Sequence, residues 1–262
     1  MLIRSSTNRT IKDIRRLLRS KGSRAVLEGP NLLREALEAQ CPLETVLMTP
    51  SFLERDEGAE LAARLSRPPL LAEERILAGL TDADSPQGAL AIVELERHGV
   101  SELPLQREGL YLYLDGIQDP GNLGALARVA EATDCVGLAL AKGTVHPNHP
   151  RALRASAGSL LRVPIATSVS VREFNHHLRS ISPRWLALEP KGGKDLYEGS
   201  WEGAWVLVLG AEGRGLSQTL FSVEGKDLPV EKLTIPLANT VESLNVTVAA
   251  AVALFEIRRS RS

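Results

Sequence analysis

Three segments of the chain combine glycine, amide and charged residues in arrangements that can hold a nucleoside and place a cation beside it. In the first, residues 114–128, an apolar run ends, a Pro-Gly turn follows, and Asn122 can cap a helix that carries Arg128 in its second turn. The same residues also describe an ordinary capped helix with an arginine on its surface. Taken alone, this segment favours that simpler interpretation.

The second segment, residues 206–217, is an apolar run that leads into a glycine-rich loop. The exposed backbone amides and carbonyls of such a loop could hold a nucleoside. The glycine spacing differs from G-x-G-x-x-G, and the sequence contains no G-x-x-x-x-G-K-[ST], so the usual nucleotide-binding motifs are absent. A tight turn from a strand into a helix, without a ligand, explains the same glycines.

The third segment, residues 233–256, begins with a short strand, continues through a polar loop that contains Ser243, and ends in a helix after Asn245. This helix is small and apolar on nearly every face, so it must be buried in the domain or against a second subunit. Ser243 or Asn245 could simply cap it.

A parallel sheet can bring these three segments together. Helix-like segments at 122–133 and 171–179 lie between several strand-like runs, which are 110–114, 136–140, 163–167, 185–188, 205–209 and 233–235. The pattern indicates an α/β domain with a buried parallel sheet. Because ligands usually bind beyond the carboxyl ends of such strands, the expected site is formed by the loops after Leu114, Leu188, Leu209 and Ile235.

The first part of the chain predicts a separate, small α/β unit. Helix-like segments at 11–19, 31–39, 57–65 and 73–80 alternate with short apolar runs at 25–28, 43–48 and 89–95. Residues 97–109 are polar and mixed, with little periodicity. We therefore predict domains at residues 1–98 and 110–262, joined by a linker at 99–109.

The charge of the chain is balanced overall but uneven along its length. The chain has 262 residues and 44% hydrophobic content, enough for packed cores, and its net charge of −1 argues against indiscriminate coating of nucleic acid. The first 24 residues carry a single acid, Asp13, and form either a phosphate-binding patch or a solvated basic helix. The basic residues of this segment are Arg4, Arg9, Lys12, Arg15, Arg16, Arg19, Lys21 and Arg24.

Cysteine content and the amino terminus predict a cytoplasmic protein. Cys41 and Cys135 are far apart and lack ligand spacing, so neither a disulfide framework nor a zinc site is predicted. The first residues lack the apolar run of a secretory signal, and no stretch is long and apolar enough to span a bilayer. These features fit a reducing compartment.

Together and in this order, the three segments resemble the motifs of the SpoU (TrmH-like) branch of the SPOUT RNA methyltransferases. The resemblance covers residues 110–259. The preceding region resembles the substrate-binding extension of ribosomal-RNA members, a small α/β domain related to ribosomal RNA-binding proteins. The resemblance implies a SPOUT domain with a parallel sheet and a C-terminal trefoil knot, whose loops hold the methyl donor in a bent shape. Chain threading is rare, so the knot rests on the resemblance alone.

The resemblance implies transfer of a methyl group from S-adenosylmethionine to a ribose 2′-hydroxyl of structured RNA, with ribosomal RNA as the expected substrate. It also implies a homodimer, which agrees with the apolar helix after Asn245. The alternatives are a tRNA ribose methyltransferase and a non-catalytic RNA-binding or ribosome-assembly factor with the same fold. The missing dinucleotide fingerprint disfavours a nicotinamide-dependent oxidoreductase, and Ser243 and Asn245 with Arg128 favour ribose over a base as the methylated group.

The resemblance also assigns roles residue by residue. Asn122 and Arg128 match the first motif, in which the arginine acts on the attacking ribose hydroxyl. Glu212 matches the acidic residue of the second motif, and Ser243 and Asn245 match the polar pair of the third. The donor-binding positions that it implies are Leu188, Leu209, Gly210, Gly213, Ile235 and Leu244. The chain departs from the commonest pattern at Ala211, where asparagine is frequent, and at Asn239, where glycine is frequent.

The implied reaction places specific demands on the protein. Methyl transfer from a sulfonium is an in-line displacement that chiefly requires alignment and no metal. The hydroxyl needs a group that accepts its proton or stabilises the developing alkoxide, which the motif assigns to Arg128. Because arginine is almost always protonated, either a transiently neutral guanidinium or a charged, alkoxide-stabilising one remains open. RNA selection is assigned to Arg9, Lys12, Arg15, Arg16 and Arg19.

Overall fold

The computed structural model describes residues 2–19, 22–81, 86–95, 97–211, 216, 222–223 and 226–261. The chain forms two compact units. The first comprises Met1–Glu96 and His146–Arg162, and the second comprises Arg97–Val145 and Val163–Ser262. Residues 146–162 thus belong to the first unit, although they lie between two strands of the second.

The first unit is built on a five-stranded mixed sheet. Its strands are β1 (Leu2–Ile3), β2 (Arg24–Glu28), β3 (Leu43–Met48), β4 (Leu70–Ala72) and β5 (Ala89–Glu94). They lie in the order β1-β4-β3-β5-β2. Strand β4 is parallel to both β1 and β3, whereas β5 runs antiparallel to both β2 and β3.

The helices of the first unit bury one apolar face each. They are α1 (Arg9–Leu17), α2 (Pro30–Glu38), α3 (Pro50–Leu53), α4 (Asp56–Ala63) and α5 (Glu74–Ala78), with α7 (Pro150–Ala155) and α8 (Ser159–Arg162) from the returning segment. In α1, Ile11, Ile14 and Leu17 recur every three residues, so they share one helix face. All three are buried in the core of the unit.

Polar contacts attach residues 146–162 to the first unit. The buried Asn148 donates through Nδ2 to the carbonyl oxygens of Gly22, at 2.9 Å, and Leu95, at 3.3 Å. Arg154 forms an ion pair with Glu28, whose side chain is only 7% exposed. A buried amide and a buried carboxylate are costly without partners, so these contacts fix the segment in place.

The second unit contains a seven-stranded parallel sheet. Its strands are β6 (Leu110–Asp115), β7 (Gly137–Leu140), β8 (Ile165–Thr167), β9 (Arg184–Leu188), β10 (Lys194–Asp195), β11 (Trp205–Gly210) and β14 (Val230–Thr234). They lie in the order β10-β14-β9-β11-β6-β7-β8, and each neighbouring pair is parallel. The predicted parallel sheet is confirmed. A two-stranded hairpin, β12 (Ser222–Val223) and β13 (Lys226–Asp227), is separate from it.

One face of this sheet packs against α9 (Val171–Leu178). Tyr111 and Tyr113 of β6 form an aromatic cluster with Phe174 of α9 and Trp185 of β9, with ring centroids about 6 Å apart. The short 3₁₀ helices η1 (Val100–Glu102) and η2 (Leu196–Glu198) also belong to this unit, and η1 lies beside α9.

The other face of the sheet packs against α6 (Pro120–Ala132) and α10 (Val246–Arg259), which contact each other. On β11, Val206 and Val208 belong to the core on the α9 side. Side chains alternate along a strand, so Leu209 points to the opposite face, where it lines a cleft together with Ala249 of α10.

Candidate active site

A cleft of about 760 Å³ opens at the carboxyl ends of β9, β11 and β14. The end of each strand supplies one apolar residue to the cleft, namely Leu188, Leu209 and Ile235. Gly210 and the segment that leads into α10, with Ser243, Leu244 and Asn245, also line it. The structure therefore gathers residues of the second and third motifs at the sheet edge where the strand order predicts a ligand.

The loop after β9 forms a fixed wall of this cleft. The backbone N–H of Glu189 donates to the carbonyl of Leu233 at 2.9 Å. The hydroxyl of Thr234 donates to the carbonyl of Glu189 at 3.2 Å and accepts from the backbone N–H of Gly193 at 2.9 Å. A Cβ at Gly193 would lie 2.7 Å from the backbone of Leu233, so only glycine allows this close approach.

The first-motif helix starts earlier than the sequence predicted. Asn122 does not cap α6; the cap is Asp119, whose Oδ1 accepts from the backbone N–H of Asn122 at 2.9 Å. Pro120 follows as the first helical residue, since its fixed φ and missing N–H suit that position. Asn122 is therefore inside the first turn, and Arg128 lies in the third turn rather than the second, with its side chain exposed.

Asn245 connects the start of α10 to α6. Its Oδ1 accepts from the backbone N–H groups of Thr247, at 2.9 Å, and Val248, at 3.4 Å, which makes it the N-cap of α10. Its Nδ2 donates to Oδ1 of Asn122 at 3.3 Å. The capping bonds fix which end of the amide is the acceptor, so the nitrogen faces Asn122. A side chain of the third motif thus contacts one of the first.

The structure does not bring every predicted site residue into the cleft. Asn122 and Arg128 are not among the described residues that line it. Glu212 and Gly213 lie outside the described part of the chain. The sequence prediction also missed several lining residues, including Glu189, Pro190, Leu237, Val246 and Ala249. Val246 and Ala249 could have been found, because they form the first turn of the helix that Asn245 caps.

The five basic residues assigned to RNA lie in the first unit, in or directly after α1. The exposed set Arg9, Lys12, Arg15, Arg16 and Arg19 lies opposite the buried face of α1. Asp13 forms ion pairs with Arg16 and Arg24, and its pKa is lowered chiefly by the hydrogen bond from Arg24. Asp13 therefore offsets part of the positive charge of Arg16. Residues 1–24 contain no second acid to offset the other four basic residues of this face.

Across residues 2–261, apart from the gaps given above, no three His, Cys, Asp or Glu side chains come together as metal ligands. No helix in the same stretches has the length and apolar character to cross a membrane.

Comparison with known proteins finds two family models along the chain. Residues 109–255 match the SpoU rRNA Methylase family, and residues 8–91 match the MRM3-like substrate binding domain. An uncharacterized tRNA/rRNA methyltransferase of Synechocystis sp. is 32% identical over 99% of this chain and 94% of the relative. The 23S rRNA (guanosine(2553)-2′-O)-methyltransferase RlmP of Bacillus subtilis is 27% identical over 98% of each chain.

A solved structure extends the similarity to the whole fold. The AdoMet-bound rRNA methyltransferase from Sinorhizobium meliloti superposes with a TM-score of 0.83 at 28% identity, covering 99% of this chain and 97% of that one. The SpoU model alone spans more than half of the sequence. The chain therefore belongs to the SpoU rRNA methylase family.

Proposed function

We propose that this protein transfers a methyl group from S-adenosylmethionine to a ribose 2′-hydroxyl of ribosomal RNA. The observation that carries the proposal is the contact between Asn245, which lines the cleft, and Asn122, on the helix that bears Arg128. It connects a cleft suited to the donor with the helix that bears the residue assigned by the motif to the attacking hydroxyl. The name of the Bacillus subtilis protein supports 2′-O-methylation of ribosomal RNA, and that of the Sinorhizobium meliloti protein supports AdoMet as the donor and ribosomal RNA as the substrate.

The cleft suits the size and chemistry of the donor. Its volume of about 760 Å³ is typical of small-molecule sites. Leu188, Leu209 and Ile235 offer apolar surface to an adenine ring, and backbone groups at Gly210 and Leu244 are available to its polar edge. We assign Gly213 to the same set. When bound, S-adenosylmethionine supplies a methyl group made electrophilic by its sulfonium.

Arg128 is the residue to which we assign the ribose hydroxyl. Its side chain is exposed, so an RNA strand can reach the guanidinium. It either accepts the proton after becoming transiently neutral or stays charged and stabilises the alkoxide and a nearby phosphate. Asn122 and Asn245 hold α6 against the start of α10, and Glu212 and Ser243 complete the proposed catalytic set.

The domain organisation belongs to the same proposal. We assign RNA selection through the basic face of α1 to residues 1–98, and the catalytic domain with the C-terminal trefoil knot to residues 110–262 apart from the returning segment 146–162. Residues 99–109, which include η1, connect the two. We place the reaction in the cytoplasm. The match of residues 8–91 to a substrate binding domain supports the first of these assignments.

A second copy of the chain is the partner that we assign to α10. Val248 and Phe255 lie seven residues apart on one side of this helix, and about half of each side chain is exposed. Tyr197 of η2, which packs beside α10, is also exposed. Contiguous exposed apolar side chains mark an interaction surface, and a self-complementary patch suits a two-fold dimer.

The direct test is incubation with methyl-labelled donor and total RNA from cells that lack the protein, followed by digestion and identification of labelled nucleosides. We expect label in a 2′-O-methylated nucleoside from one ribosomal fragment. Label in a transfer-RNA fragment would keep the chemistry and change the substrate, an outcome raised by the name of the Synechocystis relative. Absence of both label and calorimetric donor binding would favour a non-catalytic RNA-binding factor.

A further inference from the structure

The solvent-facing side of α9 carries a line of cationic and hydrogen-bonding side chains. The helix buries Val171, Phe174 and Leu178 in the core. On the opposite side, Arg172, His176 and Arg179 recur at positions i, i+4 and i+7, so they share one face, and all three are exposed. The two arginines are seven residues apart, which places them about 10 Å apart along the helix axis.

This face borders a cleft of about 560 Å³ between α9 and η1. Asn175 and His177 add hydrogen-bonding side chains to its lining. Nε2 of His177 lies 2.9 Å from the carbonyl oxygen of Leu103, a contact that holds α9 to the segment after η1. The cleft therefore combines a wall held by His177 with cationic and hydrogen-bonding side chains, and Glu173 also lines it.

The acids beside this cleft are engaged in local capping bonds. The carboxylate of Glu173 accepts from the backbone N–H and the hydroxyl of Ser170, at 2.8 and 2.7 Å. Glu102 accepts from the backbone N–H of Gly99 at 2.8 Å, and its other oxygen lies 3.3 Å from Nδ1 of His98. Both carboxylates face their own helix starts, and these hydrogen bonds lower the pKa of each group, so an anion that binds this face must rely on the two arginines to outweigh them.

The position of α9 separates it from the other proposed surfaces of this unit. It packs on the sheet face that carries Tyr111 and Tyr113, whereas α6 and α10 pack on the opposite face. A second copy seated on Val248 and Phe255 would therefore leave the α9 face open. Two arginines along one line fit an extended chain of negative charges better than one small anion.

We infer that the α9 face binds the phosphodiester backbone of the RNA substrate, as a contact separate from the basic face of α1. The inference rests on the proposed function, because it names a further part of the surface that the same RNA occupies. Such contacts position an RNA without reading its sequence, and they make its affinity depend on salt. The α9 face would thus hold the RNA against the catalytic unit itself.

The test is the affinity of the full-length protein for deproteinised 23S rRNA, measured against salt concentration. The variants are Arg172→Ala, Arg179→Ala and the double variant, with Arg107→Ala as the matched control, since Arg107 is also exposed and precedes β6. Each α9 substitution is expected to weaken binding on the order of fivefold and to lower the slope of log affinity against log salt by about 0.7 to 0.9. The control should match the wild type.

Two results would overturn the inference. One is an unchanged affinity and salt slope in the double variant while the wild type still binds RNA and methylates it. The other is normal affinity for deproteinised RNA with weakened binding to intact large subunits, which would assign the face to an acidic protein surface. Donor binding by calorimetry is measured in parallel. A wild type that binds neither donor nor RNA would instead contradict the proposed function.

Discussion

At the scale of single residues, Asn245 connects two helices through one amide. Aspartate caps helices as well as asparagine does, but it has no N–H to donate to Asn122. We therefore expect Asn245→Asp to keep the N-cap of α10 and to lose only the contact with Asn122, at a cost in stability of no more than about 1 kcal/mol. Loss of the hydrogen bond should lower kcat for methyl transfer about tenfold, since about 1 kcal/mol corresponds to nearly that factor.

A second variant separates capping from the contact with Asn122. Asn245→Ala removes both, so it should lose activity to a similar degree and also lose about 1 kcal/mol of stability, or about 2–4 °C in melting temperature. Calorimetry and single-turnover transfer measure the two effects. Full activity in Asn245→Asp would show that the contact between the two asparagines does not affect the reaction.

Arg128 provides a second residue-scale prediction. Because its side chain is exposed, Arg128→Ala should change the free energy of unfolding by no more than about 0.5 kcal/mol. The loss of a group that stabilises a developing alkoxide should reduce kcat about 10²- to 10³-fold or more. Arg64→Ala, which removes an exposed arginine at the end of α4, is the control for the change in charge. A fully active Arg128→Ala protein would remove Arg128 from the mechanism.

The two cysteines predict a difference in reactivity. Cys135 is buried, and burial raises the pKa of its thiol to about 12, an effect only partly opposed by the contact with Thr133. Thiolate is the reactive form, so at pH 8 almost none is present at this site. An alkylating reagent should label the partly exposed Cys41 in native protein and Cys135 only after unfolding, as read by mass spectrometry. Fast labelling of native Cys135 would contradict this.

At the scale of elements, long periodic segments were predictable and short ones were not. The continuous apolar runs that became β6 and β11 were identified from sequence, because a buried parallel strand needs an apolar residue at nearly every position. Strands β1 and β10 have two residues each, too few to show a period. Only their pairing with β4 and β14 defines them.

The start of α6 shows how local chemistry sets a boundary that periodicity misses. Asn122, Asp119 and Pro120 are all residues of helix starts. The prediction chose Asn122 because it follows the Pro-Gly turn, whereas the structure places Pro120 in the first helical position and Asp119 at the cap. For α10, the sequence analysis named two candidate caps, Ser243 and Asn245, and Asn245 is the cap in the structure.

The basic face of α1 carries the element-scale prediction. Lys12 and Arg15 are exposed on this face, and neither forms an ion pair with Asp13 as Arg16 does. The double variant Lys12→Ala/Arg15→Ala should lower the salt slope of RNA binding by about 1.4 to 1.8 while leaving donor affinity unchanged. Arg64→Ala/Arg67→Ala is the control of equal charge. Unchanged RNA affinity in the double variant would contradict the proposal that the basic face of α1 binds RNA.

At the scale of the whole molecule, the chain contributes to its first unit twice. Composition gives no sign that residues 146–162 belong there, because their membership depends on contacts with residues about 50 or more positions away, such as those of Asn148 with Leu95 and of Arg154 with Glu28. Deleting the first 96 residues would remove these partners and leave a buried amide and a buried ion pair unsatisfied. Substitutions in α1 therefore test RNA binding more cleanly than truncation does.

The assembly of two copies is the prediction for the whole molecule. Among the described residues, the side of α10 that carries Val248 and Phe255 stays about half exposed, whereas the buried side, with Ala250, Ala253 and Leu254, packs in the unit. We expect light scattering after gel filtration to give twice the chain mass of 28.4 kDa. Phe255→Glu should shift the protein to 28.4 kDa, because an unpaired charge in an apolar interface is costly.

The control for this prediction is Leu70→Glu, which places the same charge at an apolar side chain of similar exposure in β4 of the first unit. It should leave the dimer intact, so a shift specific to Phe255→Glu identifies the face and not a general effect of added charge. Activity measured on both variants then shows whether the second copy is needed for transfer. Two results would contradict a dimer formed through α10. One is a wild type with the mass of a single chain at micromolar concentration, and the other is a Phe255→Glu protein that remains dimeric.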